Sequence, residues 1–384
     1  MWNYIRKYRV TIIIVLTLIF FKIVWVSWAC WNTSSVDKEK NDILERQNYL
    51  KDKIIVEPIQ LLNEMPGSIG IQFQGEWALY SCSMLSKALI NISTLYPETK
   101  PSSIQALDSL INIVISPELR LYDKLSWNED PLDNLESNNS HVSYLSHLAW
   151  IIGNYKNIGG GNSYDALYDS ICKTLNRRIL ESPCLNIPTY PGEPIYIPDM
   201  MVAIVALKEY SEINERKFKT TIDKWLLKAK KEWIDEETGL LASFLTEDGI
   251  KIGDIKGSYS ALNCYYLTLI DPEFAKDQYT KLKTHFYKSF PFDGLKEYYD
   301  RSCLFGIDID AGPILFNLSP SGTAFAIGCA TFFNDWDYRR RLLTTAEIAG
   351  HTIKWRNKRH YMLANVFLVG EAITLAMRTN YENL

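Results

Sequence analysis

Four stretches of this chain carry ionisable or hydroxyl side chains where an otherwise apolar helix is about to begin. Thr189-Tyr190-Pro191-Gly192-Glu193-Pro194-Ile195-Tyr196-Ile197-Pro198-Asp199 is a proline-stiffened loop ending in a carboxylate. A carboxyl in a partly dehydrated mouth has a raised pKa and can act as a general acid or base, so Asp199 and Glu193 are candidates, with Tyr196 beside them. The competing role for Asp199 is to cap the helix it precedes. Lys256-Gly257-Ser258-Tyr259 brings a phenol to a second helix start. Gly306-Ile307-Asp308-Ile309-Asp310-Ala311-Gly312 sets two carboxylates two residues apart between glycines, either to shape a pocket or to cap a turn. Two carboxylates fall short of a calcium cage, and no EF-hand spacing is present. His141 and His147 open a fourth segment; six residues apart, they do not share a helix face as an i, i+4 metal pair would. One imidazole suits proton transfer, the other a helix start. No glycine-rich phosphate loop followed by lysine occurs.

Helices must position these groups. Helix-period patterns run from Gly70 to Ser93, Ser102 to Ser116, His141 to Tyr155, Ser163 to Leu180, Asp199 to Tyr210 and Lys217 to Trp233. Further patterns cover Gly257 to Leu269, Pro272 to Lys288, Ser321 to Phe333, Trp336 to His351 and Met362 to Arg378, with glycine and proline between them. Met200 to Ala206 is apolar on every face, whereas the next helix carries Lys217, Lys219, Lys224, Lys228, Lys230 and Lys231. Alternating apolar and charged-faced helices predict an all-α fold, a ring of α-hairpins or α/α barrel, with inner helices wrapped by outer ones. A helical solenoid is the alternative, but no fixed period repeats. The clearest strand signal is Leu240 to Ile255, turning at Thr246-Glu247-Asp248-Gly249.

The 384 residues are 47% hydrophobic and 22% charged, with net charge −4. That composition predicts a globular core and argues against nucleic acid as a partner, which needs a concentrated basic surface. Arg6, Lys7 and Arg9 precede an apolar run from Val10 to Trp28 interrupted only by Lys22. The run is long enough to span a bilayer with its cationic end in the cytoplasm. The expectation is a single-pass inner-membrane anchor over 1–36 and an extracytoplasmic (periplasmic) barrel over 37–384. A cleaved signal, or a lipoprotein signal ending at Cys30, would export the same domain. Seven scattered cysteines without a CxxC pair exclude zinc-ribbon and thioredoxin patterns; Cys172 and Cys184 are the most local pair.

The run His141-Val142-Ser143-Tyr144-Leu145-Ser146-His147-Leu148-Ala149-Trp150, followed by Gly153-Asn154-Tyr155, resembles the helix of the linalool dehydratase–isomerase family that supplies its active-site histidine, with His147 at the matching position. Gly192-Glu193-Pro194 with Asp199 resembles that family's Cys-Glu-Pro segment and its second cysteine, and Tyr259 a pocket tyrosine. The resemblance implies an exported α/α six-hairpin barrel that works without a cofactor. Gly192 and Asp199 stand where that family has cysteines, so its cysteine chemistry does not carry over; Asp199 with His147 would be the acid–base pair. The leading expectation is lyase- or isomerase-type chemistry on a hydroxylated small molecule, with Glu193, Tyr196, Tyr259, His141, Asp308 and Asp310 shaping the site and no metal. A carbohydrate-active enzyme, glycosidase- or epimerase-like, is the second, and a non-catalytic binding or envelope-structure protein the third. Homo-oligomerisation is compatible with all three.

Overall fold

The computed structural model describes residues 8–30, 33, 36–66, 70–215, 217–365 and 367–382. The described helices are α1 (Arg9–Cys30), α2 (Val36–Ile54), α3 (Pro58–Asn63), α4 (Gly70–Leu95), α5 (Lys100–Val114), α6 (Leu121–Trp127), α7 (Val142–Asn157) and α8 (Asp165–Glu181). They continue as α9 (Ile197–Ile213), α10 (Lys219–Glu232), α11 (Gly257–Ile270), α12 (Pro272–Phe286), α13 (Pro320–Phe332), α14 (Trp336–Gly350) and α15 (Leu368–Arg378).

Six of them, α4, α7, α9, α11, α13 and α15, pack each against the next, and α15 returns to α4 to close the ring. These are the helices whose sequences are apolar around most of the circumference; in α9 every residue from Ile197 to Leu207 is buried. The outer layer is α2, α5, α8, α10, α12 and α14, each packed on an inner helix. Connections from inner to outer helix are short, such as the step from Ile270 to Pro272, and those from outer back to inner are long. All inner helices therefore start at one end of the ring, where the long connections gather to form its mouth. The fold is the (α/α)6 barrel, preceded by one helix, α1, long and apolar enough to cross a membrane.

Three features differ from the sequence reading. The polar stretch at Asp37–Lys40, outside every helix pattern expected above, is the start of an outer helix, α2, whose inward face is charged. Its Asp42 binds Arg378 (2.6 Å) and Arg359 (2.7 Å), Arg46 binds Glu371 (2.6 Å), and Glu39 binds Arg339 (2.7 Å), all buried. The pattern Met362–Arg378 is a 3-10 turn followed by α15, and a hairpin (β8 Thr352–Trp355, β9 Lys358–Tyr361) precedes it. The Gly306–Gly312 loop is likewise a hairpin, β6 (Phe305–Asp308) with β7 (Gly312–Leu315). The strand signal near Leu240–Ile255 resolves into β2 (Phe244–Leu245) and β3 (Lys251–Ile252), with β1 (Ile195–Tyr196) paired to β2, and a further short pair joins β4 (Tyr287–Lys288) to β5 (Gly294–Leu295). The seven cysteines are all free thiols, so Cys172 and Cys184 are buried but unbridged.

Candidate active site

Asp199 is the third residue of α9 and lies at the mouth. It does not cap its helix: Tyr196 holds the cap position without a side-chain bond, and the Asp199 carboxylate accepts the Thr189 hydroxyl at 2.7 Å. Burial, reinforced by the charge of Asp310, lifts its carboxyl to about 7, with only Thr189 opposing. β1 fixes the loop that makes this happen, because pairing Tyr196 with Phe244 anchors the chain immediately before the helix.

Glu76 faces it from the second turn of α4. Burial raises its carboxyl well above the usual range, the charges of Asp199 and Asp310 add to that, and the Tyr190 hydroxyl works against it. Part of its surface nevertheless stays open, so the carboxyl faces a cleft and not packed core. Asp310, at the tip of the β6–β7 hairpin, is the third member. Burial and Asp308 raise it, while Tyr259, whose hydroxyl donates to Asp310 Oδ2 at 2.7 Å, and Lys256 pull the other way. Three carboxyls that repel one another in a dehydrated cleft cannot all ionise near neutrality, so protons are retained among them.

The two aspartates of the hairpin have separate jobs. Asp308 accepts the backbone amides of Asp310 (2.9 Å) and Ala311 (3.0 Å) and pairs with Lys256 at 2.8 Å. Burial pushes its carboxyl up, but Lys256 and the amides prevail and hold it below the usual range. Asp308 thus shapes the turn, and Asp310 reaches the cleft. Behind them Glu297 receives the amide and hydroxyl of Ser258 at 3.2 and 2.9 Å, a carboxylate set on the N-terminus of α11. Burial lifts it to about 7. The segment carrying it passes so close that a Cβ on Gly257 would meet the Lys296 carbonyl oxygen at 1.9 Å; glycine is required there.

Aromatic rings line the rest. Tyr196 stacks on Phe244 (5.1 Å between centroids), and Tyr259 meets both edge-on. Deeper in, Tyr80, one turn below Glu76, shares a hydrogen bond with Tyr266 at 2.7 Å and packs on the His147 ring at 4.9 Å. His147 bonds Ser83 through Nδ1 at 2.7 Å, not Asp199, and burial lowers its pKa to about 3. Tyr80, on α4, touches the His147 ring and feels the charge of Asp199, which is the link between those two groups; no hydrogen bond joins them directly. His141 is the left-handed residue before α7 (φ 47°), fully enclosed and bonded to Asp123 (2.5 Å) and Glu129 (3.2 Å). Glu193 is exposed on the rim.

Of the residues singled out in the sequence, Asp199, Tyr196, Tyr259 and Asp310 come together, with Asp308 and Glu193 on the periphery. Glu76, Tyr80, Lys256 and Glu297 were missed as site residues. The signal for Glu76 was present: it is the sole acidic residue between Gly70 and Leu95, in the early turns of an inner helix.

No family model matches the sequence, and no curated protein is similar enough to count as a relative. Among solved structures, the fold is similar to an unsaturated glucuronyl hydrolase specific for heparin, with a TM-score of 0.51 and 11% identity over 78% of this chain and 85% of that one. At that identity the likeness speaks for the α/α barrel alone and does not extend to the linalool dehydratase–isomerase family.

Proposed function

We propose that the barrel is a carbohydrate-active enzyme in which Asp199 is the proton donor and Asp310 its ionised partner. The observation that carries this is the Asp199 carboxyl held near 7 by burial beside two other carboxyls at a mouth rimmed with aromatic rings. Acid–base work on a glycosidic or enol-ether linkage needs one protonated and one charged carboxyl, and environments that push their affinities apart supply them. Burial raises Asp310 as well, but it takes the ionised role because the Tyr259 hydroxyl and Lys256 both favour its charge, whereas Asp199 has only Thr189. Tyr196 and Phe244 offer faces on which a sugar ring stacks. An α/α barrel also serves the heparin-specific glucuronyl hydrolase, which supports this substrate class. The mouth here is acidic, with Glu76, Asp199, Asp310 and Glu193 in mutual reach, so the sugar it favours is neutral or amino-bearing and not polyanionic.

Lyase or isomerase chemistry by Asp199 with His147 is the second reading. The raised Asp199 favours it, but His147 would have to act through Tyr80. The test is turnover of neutral, amino and uronic oligosaccharides by the purified chain and by Asp199→Asn. Loss of a general acid predicts a drop of roughly 10²–10⁴ in kcat. Full turnover by Asp199→Asn would remove Asp199 from the mechanism, and turnover of allylic alcohols alone would favour the second reading.

A further inference from the structure

We infer that the mouth of the barrel is seated in the outer leaflet of the membrane that α1 crosses, so that the cleft receives the sugar head of a lipid-borne glycan. The substrate half of this rests on the carbohydrate reading above; the seating does not.

The direction of α1 comes first. The Thr33 carbonyl accepts from Arg339 at 3.2 Å, while Lys22 Nζ reaches the Glu347 carbonyl at 3.3 Å and His351 Nδ1 at 3.0 Å. Trp25 stacks on His351 at 5.1 Å. Descending numbers on α1 meet ascending numbers on α14, so the two helices are antiparallel. Outer helices end at the mouth, hence α1 climbs the wall toward the mouth and its leading residues project beyond it. Lys22, the one charge in the apolar run, sits on the C-terminus of α14, where unpaired carbonyls favour a cation.

The length of the projecting part comes next. Val10 to Phe21 are all exposed. Twelve helical residues span ~18 Å at 1.5 Å each, against a hydrocarbon core of ~30 Å. For α1 to cross, the mouth rim must sink the remaining ~12 Å into the leaflet, slightly deeper than the ~5–10 Å at which interfacial apolar elements settle.

The rim has the surface for that. Apart from α1, most exposed large hydrophobic side chains lie on the mouth-end connections, foremost Phe290, Phe305, Ile307, Trp355, Met362 and Leu363. Ile307, 92% exposed, lies on β6 of the hairpin that carries Asp310, and Phe290, 81% exposed, lies in the same connection between α12 and α13. A patch of this kind on a water-facing end would be an aggregation hazard. On the side to which a membrane helix points, it is an anchor.

The experiment uses the full chain in liposomes, with Cys30→Ser and Cys303→Ser removing the two thiols that are not buried. An NBD fluorophore is placed at Ile307→Cys or, at the opposite end, at Ile213→Cys, and quenched with nitroxide-bearing lipid. Quenching at 307 but not at 213 is expected. Equal emission at both sites, or a chain extracted by carbonate, overturns the seating. In the same vesicles, one oligosaccharide is offered free and lipid-linked; two-dimensional confinement predicts about tenfold or greater preference for the linked form. Equal rates overturn the lipid-borne substrate while the quenching result stands. Failure to turn over either form counts against the carbohydrate reading, and so against the substrate half, but not against the seating.

Discussion

Replacing Asp199 with Asn has an effect whose size follows from the surroundings of that carboxyl. Its ordinary value is 3.8 and in the fold it is about 7, because burial and Asp310 oppose its charge. A tenfold change in proton affinity is worth about 1.36 kcal/mol, so ionising Asp199 in the native state costs about 4 kcal/mol more than in the unfolded chain. Between pH 4 and pH 7 the native protein keeps a proton that the unfolded chain has released, so stability falls as pH rises through that window and is level outside it. Asparagine never charges and still offers an oxygen to Thr189. The variant should match the parent near pH 4 and exceed its stability by up to about 4 kcal/mol at pH 8. Denaturant unfolding of the full chain in micelles at pH 4, 6 and 8 measures this directly. A stability difference that does not change with pH, or a variant weaker than the parent at pH 8, would refute the idea that this carboxyl is held neutral at the mouth.

Asp42→Ala leaves the buried guanidiniums of Arg378, Arg46 and Arg359 short of a partner and should cost about 3–5 kcal/mol in the same unfolding measurement. Those arginines overcome the burial that raises Asp42 and hold its carboxyl below the usual range; the parent should therefore lose stability as pH drops below about 4, a loss absent from the variant. His147, with a pKa lowered to about 3 by burial, should show no imidazole titration by NMR from pH 4 to 8. The unfolded ring takes its proton near 6.5, so this residue makes the fold less stable as pH falls below that value; a native midpoint near 6 would contradict it. Gly257→Ala drives a methyl against the Lys296 carbonyl and should lower stability by about 1–3 kcal/mol, with Gly370→Ala, whose methyl would meet nothing within 4 Å, as the control.

The ring was readable because its inner helices carry apolar residues on every face and glycine or proline at their ends, a pattern that Met200–Ala206 shows plainly. α2 was not, because its buried face mixes Ile43, Leu50 and Ile54 with Glu39, Asp42 and Arg46, whose partners lie some 300 residues away; those charges mask the helical period. Two-residue strands such as β1 are too short for alternation to appear. At the site, a carboxyl at the opening of an apolar helix singled out Asp199 as a candidate. Glu76 escaped because it sits inside its helix, and Asp308 could not be told from Asp310 until the hairpin showed which one turns back to the amides. His141 looked like a pocket residue, but Asp123 and Glu129, both nearer in sequence than any cleft group, enclose it.

The ion pairs between α2 and the last helix give the barrel a schedule. Asp42 and Arg46 leave the ribosome early, yet their partners Glu371 and Arg378 are made some 330 residues later. At roughly 5–20 residues per second that is a wait of about 15–65 s, during which Asp42 and Arg46 on the inward face of α2 have only each other to pair with. The ring cannot be completed piecemeal from its N-terminal side; its seam is sewn by the final helix. A nascent chain stalled before residue 368 should therefore remain open to protease at α2, however well its middle hairpins have formed.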